Sequence, residues 1–269
     1  MLLAEAAVRI FGSPLCMGIF AVLLMYFGGV SSRGGVMDES EFDKFADDYE
    51  RTLAESVSLS GERPDFFAEY KIIDIARWCG PLSGALGTPP RVLDFGAGIG
   101  GSVPFVQKHL PGFDLTCLDV SRRSLGLAER RFPRMARFVH FDGFALPFPD
   151  NHFDVAFAAC VFHHIPHDEH VGLLGELRRV LRVGGALFIF EHNPLNPLTV
   201  RVVNNCVFDK DAKLIRAGIM RQRMNSAGFA MLKTRYRIFF PNVLRGLRPA
   251  EPALSWLPMG GQYYVRGVK

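Results

Sequence analysis

The run V-L-D-F-G-A-G-I-G-G at residues 92–101 constrains this chain more than any other stretch. A short apolar segment ending in Asp94 and Phe95 reads as a buried strand. Gly96, Gly98 and Gly100 then let the backbone turn tightly with a ligand pressed against it. A helix from Ser102 would present its N-terminus to the same place. In open parallel sheets ligands sit outside the carboxyl ends of the strands, so the turn lies where a site belongs. The spacing of Gly96, Gly98 and Gly101 also fits G-x-G-x-x-G, which keeps a dinucleotide among the readings.

The surrounding pattern supports such a sheet. Apolar runs at 91–95, 113–119, 137–141, 153–158 and 186–191 alternate with segments long enough for crossover helices. Continuous apolar strands joined in this way imply a parallel sheet covered on both faces. Residues 229–240 and 262–268 read as two further strands with a Pro-rich insert, Pro241 to Pro258, between them. Upstream, Phe42, Phe45, Tyr49 and Leu53 recur at helical spacing, and Pro64 opens a second helix through Phe66, Phe67, Tyr70, Ile73 and Arg77.

Asp119 ends the second strand, 21 residues after Gly98, where a carboxylate accepts hydrogen bonds from ribose hydroxyls. Nicotinamide dinucleotides and S-adenosylmethionine share that feature. Asp94 separates them better: a carboxylate just before the glycines repels a pyrophosphate and suits a ligand with an amino group and a sulfonium.

The segments D-F-G-A-G-I-G, L-D-V-S, F-D-G-F-A-L-P-F-P-D-N-H-F-D-V-A-F, V-F-H-H-I and L-R-R-V-L-R-V-G-G-A-L-F-I-F-E occur in that order. In this the chain resembles the class I S-adenosylmethionine-dependent methyltransferases, and more narrowly their small-molecule branch, type 11. The likeness covers about Phe42 to Glu191. It implies an α/β Rossmann-like fold of seven mostly parallel strands with helices on both faces and the last strand antiparallel. It also implies S-adenosyl-L-methionine as cofactor. Asp94, Gly96 and Gly98 would line the methionine end, Asp119 would hold the ribose, and Val120 would lie beside the adenine. Asp142 would take the adenine amino group, with Gly143 and Phe144 flanking the ring. Cys160 would sit near the sulfonium, and Tyr49 and Tyr70 would close over the cofactor.

Methyl transfer needs alignment above all, and a general base only where the acceptor holds a reluctant proton. His163, His164 and His192 follow the fourth and fifth strands and are the base candidates, with Glu191 able to orient an imidazole. Their alternative is a packing or capping role. No metal is expected, since methyl transfer from a sulfonium does not require one. The five cysteines are odd in number and scattered, which speaks against a disulfide framework or a paired-cysteine zinc site.

Charge bears on the acceptor. From Lys213 to Arg248 every charged residue is basic, which makes an anionic small-molecule acceptor plausible: a nucleotide sugar, a glycan or a lipid-linked intermediate. Nucleic acid is not expected, because the segment after the fourth strand is F-A-A-C-V-F-H and no recognition module stands apart. The competing readings are an NAD(P)-dependent oxidoreductase and a non-catalytic cofactor-binding protein.

Residues 1–36 form an apolar extension, read as an anchor or a start-site artefact. Its charge-free run at 10–30 is long enough to span a bilayer, so the expected placement is cytoplasmic or held at a membrane through that run. Residues 37–269 read as one methyltransferase domain, with a helical cap at about 40–80 and substrate-shaping inserts at about 195–228 and 241–258.

Overall fold

The computed structural model describes residues 61–80, 88–206 and 212–269. The apolar extension, the first part of the helical cap and Tyr49 lie outside the described residues.

Seven strands form one sheet: β1 (Arg91–Phe95), β2 (Asp114–Asp119), β3 (Arg137–His140), β4 (Phe153–Ala159), β5 (Leu181–His192), β6 (Ala230–Arg237) and β7 (Gln262–Val268). Their spatial order is β3-β2-β1-β4-β5-β7-β6. The pairs β1–β2, β1–β4, β2–β3 and β4–β5 are parallel, while β7 runs antiparallel to β5 and β6. The expected seven-stranded sheet and its antiparallel last strand are both present. Strand order reverses at β1 and β4, which opens a crevice outside their carboxyl ends.

Helices α1 (Pro64–Cys79) and α2 (Val103–His109) cover one face, packing Tyr70, Ile72, Val103 and Val106 against Phe188 and Phe190. The opposite face carries α3 (Arg122–Arg131) against β2 and β3, and α4 (His170–Val180) against β5. Farther along the chain, α5 (Pro197–Asn204) follows β5, and α6 (Ala217–Ser226) packs Met220 and Met224 beside Tyr263 and Val265. Each fully buried Leu or Phe contributes about 1.5–3 kcal/mol relative to exposure. The central strands read as unbroken apolar runs because both of their faces are covered.

The boundaries of β5 differ from expectation. The strand begins at Leu181, not 186, because Leu181 already pairs with Phe153 as α4 ends. The register then shifts between Phe153 and Val155, and Gly184, at φ 80°, lets residues 182–185 bulge out before pairing resumes at Ala186.

Among the described residues no helix is long and apolar enough to cross a membrane. The longest of them, α1, has 16 residues and carries Asp65, Glu69, Lys71, Asp74 and Arg77, whereas a span needs about 20 mostly apolar residues. This corrects the expected cytoplasmic or membrane-held placement, which is not retained; residues 10–30 themselves lie outside the described residues.

Candidate active site

The glycine turn is built by β1 handing over to α2. Gly96 donates to Leu118 O at 2.8 Å, tying the turn to the end of β2. A side chain at Gly96 (φ 76°) would strike Val161 at 2.5 Å, so packing alone demands glycine there. Gly98 is different. At φ 53° it too lies in the left-handed region, yet a Cβ would meet nothing within 4 Å. The backbone is bare at Gly98 without the protein filling the space, which is the geometry of a cradle for a ligand.

Two carboxylates flank this cradle. Gly98 N–H donates to Asp119 Oδ2 at 2.7 Å and Ser121 N–H to Oδ1 at 2.9 Å. Each oxygen keeps a lone pair for a hydroxyl donor. Burial pushes the Asp119 carboxyl up, and the Ser121 and Gly98 amides pull it back. Asp94, 2% exposed, accepts from the Ser102 hydroxyl, so Ser102 serves the carboxylate and makes no side-chain cap on α2. Burial raises the Asp94 carboxyl to about 7 against the pull of that hydroxyl; Asp119 adds to the rise and Lys71 opposes it.

Asp142 is exposed and accepts from Phe144 N–H at 3.0 Å. Gly143, at φ 88°, turns the chain so that Phe144 stands 63% exposed. Val120 is buried in the core with Phe95 and Phe141, which leaves its main chain at the sheet edge. Tyr70 is buried, donates to Gln262 Oε1 at 2.5 Å and packs edge-on against Phe190.

Cys160, just past β4, holds a left-handed φ of 61° that is unusual for a residue with a side chain. Its Sγ accepts from Gln262 Nε2 at 3.8 Å. Burial pushes the thiol up, but Lys71 and His192 outweigh it and hold the group at about 7. His192, at the end of β5, lies 3.3 Å from the same Gln262 amide through its Nδ1.

The remaining histidines sit on a short 3-10 turn, Phe162–His164. His163 is 2% exposed, with Nδ1 2.5 Å from Glu191 Oε2. Glu191 is wholly buried and also accepts from Phe162 N–H at 2.8 Å. Burial alone would raise its carboxyl; His163 reverses that and holds it below the ordinary range. An ionised carboxylate only accepts, so His163 carries its neutral-state proton on Nδ1 and the lone pair on Nε2. The His163 ring centroid lies 4.2 Å from that of His164 and 5.2 Å from that of His192. The three candidates are therefore one cluster.

Two residues of this neighbourhood were missed in the sequence. Lys71 is buried on α1, and its charge reaches both Asp94 and Cys160. Gln262 joins Tyr70, Cys160 and His192. The available signal was a lysine at a core-facing helical position between Tyr70 and Ile72. The basic run does not form one face. Arg221 and Arg223 lie on α6, donating to Leu232 O and meeting His170 Nδ1, whereas Lys233, Arg235 and Arg237 line a cavity on the other side of the sheet. Large apolar side chains, in contrast, are exposed along the expected inserts: Leu195, Leu198, Val243, Leu247, Trp256 and Met259. Asn196 Nδ2 donates to Met259 O at 2.7 Å and Thr199 Oγ1 to Gly261 O at 2.9 Å, which ties the two inserts together beside the end of β5.

Residues 93–189 match a family model described as a methyltransferase domain. The demethylmenaquinone methyltransferase of Thermus thermophilus is 35% identical over 109 residues, 39% of this chain and 49% of that protein. A sterol 24-C-methyltransferase of Gibberella zeae is 34% identical over 123 residues, 44% of this chain and 32% of that protein. The chain thus spans half or less of the length of these relatives. A solved Thermotoga maritima S-adenosylmethionine-dependent methyltransferase, described as a possible histamine N-methyltransferase, shares the fold. It aligns with TM-score 0.59 at 21% identity, over 86% of this chain and 98% of that one.

Proposed function

We propose that this chain, which belongs with the class I S-adenosylmethionine-dependent methyltransferases of type 11, methylates a small-molecule acceptor with a largely apolar body. The observation that carries the reading is the bare backbone at Gly98, open on one side and held between Asp94 and Asp119 on the other. S-adenosyl-L-methionine, when bound, supplies an activated methyl group for in-line displacement.

The chain's own residues do the rest. Asp94 with Gly96 and Gly98 holds the amino-acid end, and Asp119 takes the ribose hydroxyls. Val120, through its main chain, joins Asp142, Gly143 and Phe144 around the adenine. Cys160 lies on the methyl side with His192, and Lys71 offsets the buried carboxylate of Asp94. His163 Nε2 takes the acceptor proton while Glu191 fixes Nδ1–H and stabilises the imidazolium. The inserts at about 195–228 and 241–258 shape the acceptor pocket, and their exposed Leu195, Leu198, Trp256 and Met259 favour an apolar body over a sugar.

The experiment is a label-transfer screen from methyl-tritiated S-adenosylmethionine. Quinols and sterols form one arm, nucleotide sugars and glycans the other. Label recovered in the organic extract supports the reading; label confined to the polar arm overturns the apolar acceptor.

Asp94 gives the site a pH dependence. Its carboxyl titrates at about 7, so below that pH it is neutral and cannot pair with an ammonium. Affinity for S-adenosylhomocysteine should rise as pH increases through about 7 and level off above it, and Asp94→Asn should flatten the curve. In the free protein the sign is opposite. The folded state keeps a proton that the unfolded chain releases near pH 4, so stability falls as pH rises from about 4 to about 7. Calorimetric titrations between pH 5.5 and 8.5 check the first effect, and thermal melts across pH 4–8 the second.

A further inference from the structure

A cavity of about 370 Å3 opens between α1, the strands β6 and β7, and the short helix α7 (Glu251–Leu254) with the residues just after it. It lies on the sheet face opposite α6, because Tyr264 and Arg266 line it while the alternating Tyr263 and Val265 join the core with Met220 and Met224 of α6. Its inner end, at Arg266, is set back from the methyl-transfer site, whereas Arg237 at the other end lies over the Tyr70 ring, 5.6 Å from its centroid, and pairs with Gln262. Arg266 pairs with Phe188, four residues before His192, roughly 13 Å along the strand.

Its charge is one-sided. Arg77, Lys233, Arg235, Arg237 and Arg266 line it, and Asp74 is the only acidic residue among the described residues that line it. Asp74 is already engaged, with Arg77 Nη1 at 3.0 Å on one oxygen and Arg237 Nε at 2.7 Å on the other. The other three cations share the same space. Lys233 stands directly opposite Arg266 on the antiparallel ladder, an arrangement that destabilises a sheet when both residues carry like charge. A register shift between Ala230 and Lys233, with Met231 at φ 50°, sets this alignment. Among the described residues the buried Nε atoms of Arg266 and Arg237 both lack an acceptor in hydrogen-bond geometry, Arg237 keeping only its ion pair with Asp74. A buried Nε donor without an acceptor calls for one, and beside repelling cations an anion supplies it together with the missing charge.

We propose that this cavity binds a small organic phosphate carrying two or more negative charges, separately from the cofactor and the acceptor. Arginine forks match phosphate oxygens in pairs, and Trp78 and Tyr264 supply an aromatic wall for the ligand's planar or apolar body. The volume suits a ligand of that size.

The test titrates the full chain, saturated with S-adenosylhomocysteine, with adenosine diphosphate and with inorganic pyrophosphate at constant ionic strength set by sodium chloride. Binding of adenosine diphosphate should raise the melting temperature by roughly 5–10 °C at a hundredfold excess over its Kd. The paired change Lys233→Gln and Arg266→Gln should weaken that binding at least tenfold and leave affinity for S-adenosylhomocysteine within twofold, a result that also shows the variant folded. Pyrophosphate binding without a gain from the nucleoside would remove the aromatic wall from the account and overturn the organic ligand. No binding of either probe, binding unaffected by the paired change, or displacement of S-adenosylhomocysteine would each overturn the site.

Discussion

Replacing His163 with asparagine should lower kcat by about 10²–10⁴-fold while leaving affinity for S-adenosylhomocysteine within twofold. The asparagine amide can still meet Glu191, so the buried carboxylate keeps a donor, but no lone pair of suitable basicity remains where Nε2 was. Glu191→Gln offers a graded control. It removes the charge that stabilises an imidazolium and frees the tautomer, so kcat should fall less than in His163→Asn and the acid limb of the pH–rate profile should move. Steady-state kinetics on the acceptor found by label transfer decides the matter. Unchanged kcat in His163→Asn would reduce the His163–Glu191 pair to packing.

The second large effect concerns the cofactor. Asp119→Ala removes both acceptors of the Gly98 and Ser121 amides together with the proposed ribose contacts. Hydrogen bonds to a charged group contribute about 1.5–3 kcal/mol each, and two lost ribose contacts after partial replacement by water amount to about 3–4 kcal/mol. That corresponds to roughly 10²–10³ in affinity for S-adenosylhomocysteine. Asp119→Asn, which keeps one acceptor oxygen, should lose roughly tenfold. Calorimetric titration measures both, with near-ultraviolet circular dichroism reporting that the fold persists. Full affinity in the alanine variant would place the nucleoside elsewhere.

Most of the sheet was legible because its strands are buried on both faces and therefore read as unbroken apolar runs ended by polar residues. That Asp94, Gly96, Gly98 and Asp119 come together was legible for the same local reason, since a strand end, a turn and the next strand end lie close in sequence. Lys71 and Gln262 were not. Each reaches the neighbourhood from an element far away in the chain, and a single polar residue on an apolar helix face or on a terminal strand has no spacing to announce it. The division of the basic run from Lys213 to Arg248 was not legible for a related reason. Arg221 and Arg223 sit on α6 over one face of the sheet, whereas Lys233, Arg235 and Arg237 of β6 face the other, so a one-dimensional stretch became two separate surfaces. The bulge at Met231, which aligns Lys233 with Arg266, likewise depends on cross-strand register that no local pattern encodes.

The most direct measurement is calorimetric titration of the full chain with S-adenosylhomocysteine and, separately, with NADH. A single micromolar site for S-adenosylhomocysteine and no binding heat from NADH are expected, because the buried carboxylate of Asp94 favours an ammonium and repels a pyrophosphate. Binding of NADH with none of S-adenosylhomocysteine would contradict this expectation.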